Sequence, residues 1–151
     1  MIVQAIDTET SIYNDGNPFD SRNKLCAIAT AGVSDRWVMK VEHGEEPYGE
    51  RLVLGRDWCD SVDLFVLFNA KFDLTWLWKY GIDLTSKKVW DTQLFEYISS
   101  NQLWIYPDLA TAGERRGLSI SKDRTIEEYW KAGIDTTEIP WELIEKRVSV
   151  D

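Results

Sequence analysis

Two stretches of this chain are apolar on both alternating faces, and they restrict the fold more than anything else in it. "IVQAID" (residues 2–7) departs from apolar character only at Gln4 until it reaches Asp7, and "DLFVLFNA" (63–70) holds a continuous apolar run. A strand points successive side chains to opposite sides of a sheet, so a strand that is apolar on both sides must be covered on both. These two segments are therefore expected as buried strands with helices above and below.

The remaining elements follow from local signals. The segment 10–23, rich in Asn, Asp, Gly and Pro, reads as a loop. "KLCAIATAGV" and "RWVMKV" read as two strands of a hairpin turning at Ser34-Asp35. Residues 42–50 form a turn-rich surface stretch, and 51–62 are expected to be helical despite Gly55. "KFDLTWLWKYG" places Phe72, Trp76, Leu77 and Tyr80 at helical spacing, with Gly81 where a C-cap belongs. A brief strand ends at Trp90, a helix starts near Asp91, and three more helical segments follow: 108–117, 125–133 and 140–151, with Pro140 suited to a first turn. Three strands, a helix, a strand, a helix, a short strand and then mostly helix predict a mixed sheet flanked by helices, of the α/β class.

At 151 residues the chain has the material for one domain. Its net charge of −9 argues against a protein that grips nucleic acid by bulk electrostatics, though not against a nuclease whose acids hold cations. Cys26 and Cys59 lie far apart with no metal-ligand spacing, which leaves free thiols in a reducing compartment or one disulfide. The N-terminus shows no signal-peptide pattern, and no apolar run is long enough to span a membrane, so a soluble cytoplasmic protein is expected.

The acids carry the chemistry. If residues 2–9 are extended, Asp7 and Glu9 project on one face beside Val3 and Ala5, which is unfavourable unless water or a cation sits with them. Asp73 falls in the first turn of a helix just after the second apolar strand, Asp91 begins another helix, and Asp151 ends the last. Taken singly, Asp73 and Asp91 are adequately explained as caps. Taken together, acids at strand ends and helix starts suit hard cations, a pair of which can clamp the attacking and leaving oxygens of a phosphodiester.

"AIDTET" (5–10) resembles the first motif of the DEDD (DnaQ-like) superfamily of 3′-to-5′ exonucleases, and "FNAKFDLTWL" (68–77) resembles its second. Downstream, "WDTQL", "DLATAGERRGL" and "EEYWKAGIDTTEIPWELIEK" are similar to the proofreading domain of family A DNA polymerases, particularly phage ones. The resemblance implies an RNase H-like mixed sheet of five strands. It implies that Asp7, Glu9, Asp73 and Asp151 are ligands of two Mg²⁺ or Mn²⁺ ions, with Asp7 bridging them. It implies contacts to the substrate from Thr8, Thr10, Asn69 and Phe72, although helical spacing alone would put Phe72 in the core. The substrate would be the 3′ end of single-stranded DNA, or RNA, with a DNA polymerase, fused or separate, delivering it. On this reading residues 1–151 are a single exonuclease domain, complete or the N-terminal part of a longer chain, in the host cytoplasm if the source is a phage.

One position departs from the family pattern. The third motif carries a Tyr four residues before its Asp, or a His five before it, and this chain has Arg147 and Lys146 there. Arg is only a donor and stays protonated, so it cannot orient or deprotonate water as Tyr or His would. Two readings stand beside each other: Arg147 binds the scissile phosphate, or it lies on a solvated helix face. A third consequence is a module with impaired catalysis. His43, in a turn after the third strand, is expected at the surface, and most of the eight Trp in the core or under a partner.

Overall fold

The computed structural model describes residues 1–44, 56–102, 107–118 and 124–149. The strands are β1 (Val3–Thr10), β2 (Leu25–Ala31), β3 (Arg36–Lys40), β4 (Leu64–Leu67) and β5 (Val89–Asp91). The helices are α1 (Arg56–Ser61), α2 (Ala70–Lys79), α3 (Thr92–Ser99), α4 (Leu109–Arg115), α5 (Thr125–Lys131) and α6 (Trp141–Val148). Short 3₁₀ turns add Tyr13–Gly16 and Thr136–Glu138. The first part of the helix expected over 51–62, and most of the turn stretch before it, lie outside the described residues.

The strands form one sheet in the order β3-β2-β1-β4-β5. β1 is antiparallel to β2, and β2 to β3, as the hairpin signal at Ser34-Asp35 requires; β4 runs parallel to β1 and β5 parallel to β4. This five-stranded mixed sheet flanked by helices is the RNase H-like arrangement.

Strand alternation divides the core in two. Ile6 and Ile28 point to one face, where Phe65, Leu67, Trp76 and Leu77 bury against them. Ala27 and Ala29 point to the other, where Ile126, Ile139, Ile144 and Val148 pack. The alanine methyls let α6 lie directly on β2, and Ile144 and Val148, one turn apart, form its buried stripe. Each such Ile or Val contributes about 1.5–3 kcal/mol by leaving water. The two-sided cover expected for β1 and β4 is only half met: their Ile6, Phe65 and Leu67 side is buried, whereas on the other side Ala5 is exposed and Val3, Leu64 and Val66 are only partly covered.

Helix α2 begins immediately beyond β4. Asn69 sits at its N-cap in the left-handed region (φ 63°), which turns the chain sharply from strand to helix. The helix ends in a Schellman motif: Ile82 N–H donates to Leu77 O at 2.9 Å, Gly81 N–H donates to Trp78 O at 3.0 Å, and Gly81 has φ +83°. One carboxylate serves two helix starts. Asp91 accepts from Gln93 and Leu94 of α3, and also from the N–H groups of Asn69 and Ala70 at α2.

Two sequence expectations need correction. Pro140 is the N-cap of α6 and not part of its first turn. His43 is buried, with Nε2 2.7 Å from Ile139 O and its ring edge-on to Trp141; a carbonyl can only accept, so Nε2 carries the proton. Most of the described Trp side chains pack in the core as expected, Trp76 fully buried and Trp37, Trp58, Trp130 and Trp141 partly buried against it, whereas Trp78 and Trp90 are 60% and 48% exposed. Cys26 and Cys59 are free and buried, and burial pushes both thiols up, which makes them poor nucleophiles.

Candidate active site

β1 is longer than its parallel neighbour. Its pairing with β4 runs through Val3, Gln4 and Ala5, and β4 ends at Leu67, so the last residues of β1 continue past the point where the chain turns into α2. On the other side the β1–β2 register shifts between Glu9 and Thr10. Irregularities of this kind re-aim side chains. In this stretch Asp7 lies opposite Ala29 and Glu9 opposite Ala27, so both carboxylates share the face on which α6 packs. Asp7 is half-buried and Glu9 is 8% exposed.

Thr8, between them, points to the opposite face and reaches the third acid. Its hydroxyl donates to Asp73 Oδ1 at 2.6 Å. Asp73 is 3% exposed. Burial pushes its carboxyl up to about 7; hydrogen bonds from Thr8 oppose that shift, and the charge of Glu9 adds to it. The side chain is a link to β1 rather than the helix cap that its first-turn position suggests. Asp91, by contrast, is a cap twice over.

Arg147 does not lie on a solvated helix face. Its Nε donates to Glu9 Oε1 at 2.8 Å, with the two side chains 16% and 10% exposed. The guanidinium stacks 4.8 Å from the centre of the Trp130 ring. With Glu9 turned to Arg147 and Asp73 turned to Thr8, no three His, Cys, Asp or Glu side chains converge as ligands of one ion among the described residues. Asp151 lies outside those residues.

Two clefts open on this end of β1. One, of about 400 Å³, is lined by Glu9, Thr10, Ile12, Gly16, Phe72 and Trp130 among others. Gly16 makes it possible: it has φ +68°, and a Cβ there would stand 3.0 Å from Thr10 Oγ1 and 3.2 Å from Phe72 Cζ. The loop is tied down by Trp76 Nε1, which donates to Gly16 O at 3.0 Å. The other cleft, of about 270 Å³, is lined by Asp7, Ala29, Ala31, Leu109 and Val148 among others. Phe72 and Thr10 therefore line the first cleft, and so does Thr8. Asn69 is exposed at the start of α2 and does not line it. Trp130 was missed by sequence reasoning, because helical spacing assigned it to the core. Ile12 and Gly16 were read only as loop.

The fold is shared with solved nucleic-acid enzymes. At TM-score 0.64 and 17% identity, all of this chain matches 23% of a family B DNA polymerase from the hyperthermophilic archaeon Pyrobaculum calidifontis. A nuclease in its apo form matches 98% of the chain over 66% of its own length, at TM-score 0.58 and 18% identity. NrnC of Brucella melitensis, also solved with bound Mg²⁺, matches 97% over 73% of its length, at TM-score 0.52 and 20% identity. The chain thus spans less than a quarter of the polymerase that it matches. No protein-family model and no curated protein matches it. At these identities the likeness establishes the fold. Among the described residues no helix is long and apolar enough to cross a membrane.

Proposed function

We propose that this chain is a metal-dependent 3′-to-5′ exonuclease that hydrolyses the terminal phosphodiester of single-stranded DNA and releases nucleoside 5′-monophosphates. The observation that carries the reading is the Thr8–Asp73 hydrogen bond, which ties the acid of the second motif to the residue between the two acids of the first. The fold of a polymerase and of nucleases supports it.

The donors are of the chemical type that a hard divalent cation takes, and binding one would require Asp73 and Glu9 to turn from Thr8 and Arg147 toward it. Asp7, Glu9 and Asp73 offer only carboxylate oxygens; burial pushes the Asp73 carboxyl up to about 7 against the hydrogen bonds from Thr8, and the charge of Glu9 adds a smaller part. Asp7, Glu9 and Asp73 would hold Mg²⁺ or Mn²⁺, with Asp151 as a further ligand on sequence grounds. Bound there, the metal would polarise the phosphodiester and supply a nucleophilic water near neutral pH. The chain's own residues do the rest. Thr8 fixes the rotamer of Asp73, and the backbone about Thr8 and Thr10 borders the cleft. Phe72 and Trp130 wall that cleft with aromatic surface suited to stacking the terminal base. Arg147 presents a planar guanidinium beside Glu9 for the scissile phosphate. The domain would act with a DNA polymerase, since its own net charge of −9 repels nucleic acid. RNA is the nearest alternative substrate.

A second reading has its own observation. The Arg147–Glu9 bridge ties up a ligand, as in a module that binds nucleic acid or polymerase without cleaving. The two are separated by incubating end-labelled single-stranded DNA and RNA with the protein in Mg²⁺, Mn²⁺ or EDTA, beside Asp7→Ala. Shortening from the 3′ end that needs metal and Asp7 is expected. Shortening that survives Asp7→Ala would sink the site assignment, and none in any metal would establish the second reading.

A further inference from the structure

Resting on the exonuclease reading proposed above, we infer that the loop joining β1 to β2 carries a further stacking site, built on Phe19 and Arg22, for the bases upstream of the terminal nucleotide.

The loop is held by its own polar groups. Asn23, 3% exposed, donates from Nδ2 to Tyr13 O at 2.6 Å and to Asn17 O at 2.9 Å, and its Oδ1 accepts from Tyr13 N–H at 3.1 Å. Two turns follow each other around it. Asp20 N–H donates to Asn17 O at 3.1 Å, which puts Pro18 and Phe19 at the centre of the first, and Phe19 N–H donates to Asn17 Oδ1 at 2.9 Å. Asn23 N–H donates to Asp20 O at 3.1 Å and Arg22 N–H to Asp20 Oδ1 at 3.1 Å, which closes the second. Proline fixes φ at the second turn position, and an Asn or Asp side chain that accepts from the backbone two residues on reinforces each turn. Phe19 is nevertheless 80% exposed. Arg22 is fixed in plane by Asp20, through Nε at 3.0 Å and Nη2 at 2.7 Å, and lies 4.7 Å from the centre of the Tyr13 ring, with its side chain still 61% exposed. A phenyl ring and a guanidinium plane are both surfaces on which an unstacked base lies. Since the turns already order the backbone, binding there loses little further freedom.

The position of the loop decides what it meets. Ile12, Asp15 and Gly16 wall the cleft that Phe72 and Trp130 also line. Phe19 follows Gly16 by three residues, so its backbone stands within about 11 Å of that wall. That is a span of about three stacked nucleotides at about 3.4 Å each. A strand with its terminal base in the cleft is long enough to lay its next bases on Phe19. A protein partner fits less well, because Phe19 is the one large apolar side chain among residues 14–24 and makes no broad apolar patch. Stacking also suits a chain of net charge −9, because it needs no excess of cations.

Binding of a labelled short oligothymidylate is measured by fluorescence anisotropy in EDTA, where nothing is cut. Phe19→Ala is expected to weaken it about 5- to 100-fold, by the same factor at low and high salt, and Phe19→Trp to restore it. Arg22→Lys, which keeps the charge and loses the plane, is expected to weaken it severalfold. Thymidine 5′-monophosphate, followed by tryptophan fluorescence, is expected to bind Phe19→Ala as it binds the unaltered chain, since it occupies the cleft alone. A 2-aminopurine moved stepwise from the 3′ end is expected to be quenched at an upstream position, and Phe19→Ala to release that quench. Circular dichroism establishes that each variant is folded. Unchanged strand binding by Phe19→Ala or Arg22→Lys, a loss that extends to the mononucleotide, or a quench that survives Phe19→Ala overturns the inference and leaves the exonuclease reading standing. Phe19-dependent binding by a chain that shortens no strand in any metal upholds the stacking site and overturns the exonuclease reading. No strand binding by the unaltered chain overturns both.

Discussion

Replacing Thr8 by Val removes one hydroxyl from the interior and keeps the side chain's shape. Thr8 is 7% exposed, and its hydroxyl donates at 2.6 Å to a carboxylate that is 3% exposed. With burial pushing the Asp73 carboxyl up to about 7, the acceptor is charged at about pH 8.5, where a hydrogen bond to it contributes about 1.5–3 kcal/mol and its loss also carries the desolvation cost of the acceptor. Thr8→Val is therefore expected to lose about 2 kcal/mol. For a chain of this size that is a fall in Tm of about 4–8 °C. Urea and thermal unfolding in EDTA read the loss free of any contribution from metal. In an Asp73→Leu background the acceptor is gone, and Thr8→Val should then cost less than about 0.5 kcal/mol, so the double-mutant cycle isolates the pair. Thr10→Val is the comparison, since that hydroxyl only donates to the adjacent Ser11 carbonyl at 3.2 Å. If Thr8→Val costs no more than Thr10→Val, or costs as much with Leu at position 73 as with Asp, the link between the two acidic motifs does not have the energetic weight argued for it.

Trp130→Ala should weaken binding of a single-stranded oligonucleotide by about 1–3 kcal/mol, the worth of one stacked base, and Trp130→Phe should recover most of it; fluorescence anisotropy with a labelled strand measures both. Gly32→Ala places a Cβ 2.2 Å from Asp35 Oδ1 and 2.7 Å from Gln4 Nε2, breaking the pairing of a buried amide with Asp35, and should cost about 1–3 kcal/mol by urea unfolding. Burial alone would raise the Asp135 carboxyl, but hydrogen bonds from Thr137, Ile12 and Ser11 outweigh it and hold the group below its usual 3.8. A carboxyl depressed in the folded state contributes stability above its unfolded pKa, and that stability is lost as pH falls through the folded value. Asp135→Asn should therefore lower the urea midpoint at pH 7, with the difference closing below about pH 4; a difference independent of pH would refute the assignment.

The strands and helices were legible because their signals are local. Two-sided apolar runs gave β1 and β4, Gly81 marked the end of α2, and the strand period placed Asp7 and Glu9 on one face. What the sequence did not reveal depends on partners distant along the chain. His43 is buried because the carbonyl of Ile139 receives its ring nitrogen, 96 positions away, and no residue near His43 announces that. Trp130 read as helix core, and Arg147 stood between a phosphate contact and a solvated face, until α5 and α6 brought them together over Glu9. Asp73 came to the site only through the family resemblance, since its first-turn position was equally well explained by capping; the structure shows that its bond goes to β1 instead.

The two-fold use of Asp91 bears on the order in which the chain can assemble. The start of α2 is satisfied by a carboxylate at the end of β5, 21 residues on from Ala70. Until β5 has docked against β4, the first N–H groups of α2 have only water, and that first turn, which contains Phe72 and Asp73, is free to fray. A partly folded chain with β1 to β4 in place would thus lack an ordered third acid. On the exonuclease reading proposed above, the site would be assembled only when the outermost strand of the sheet has closed.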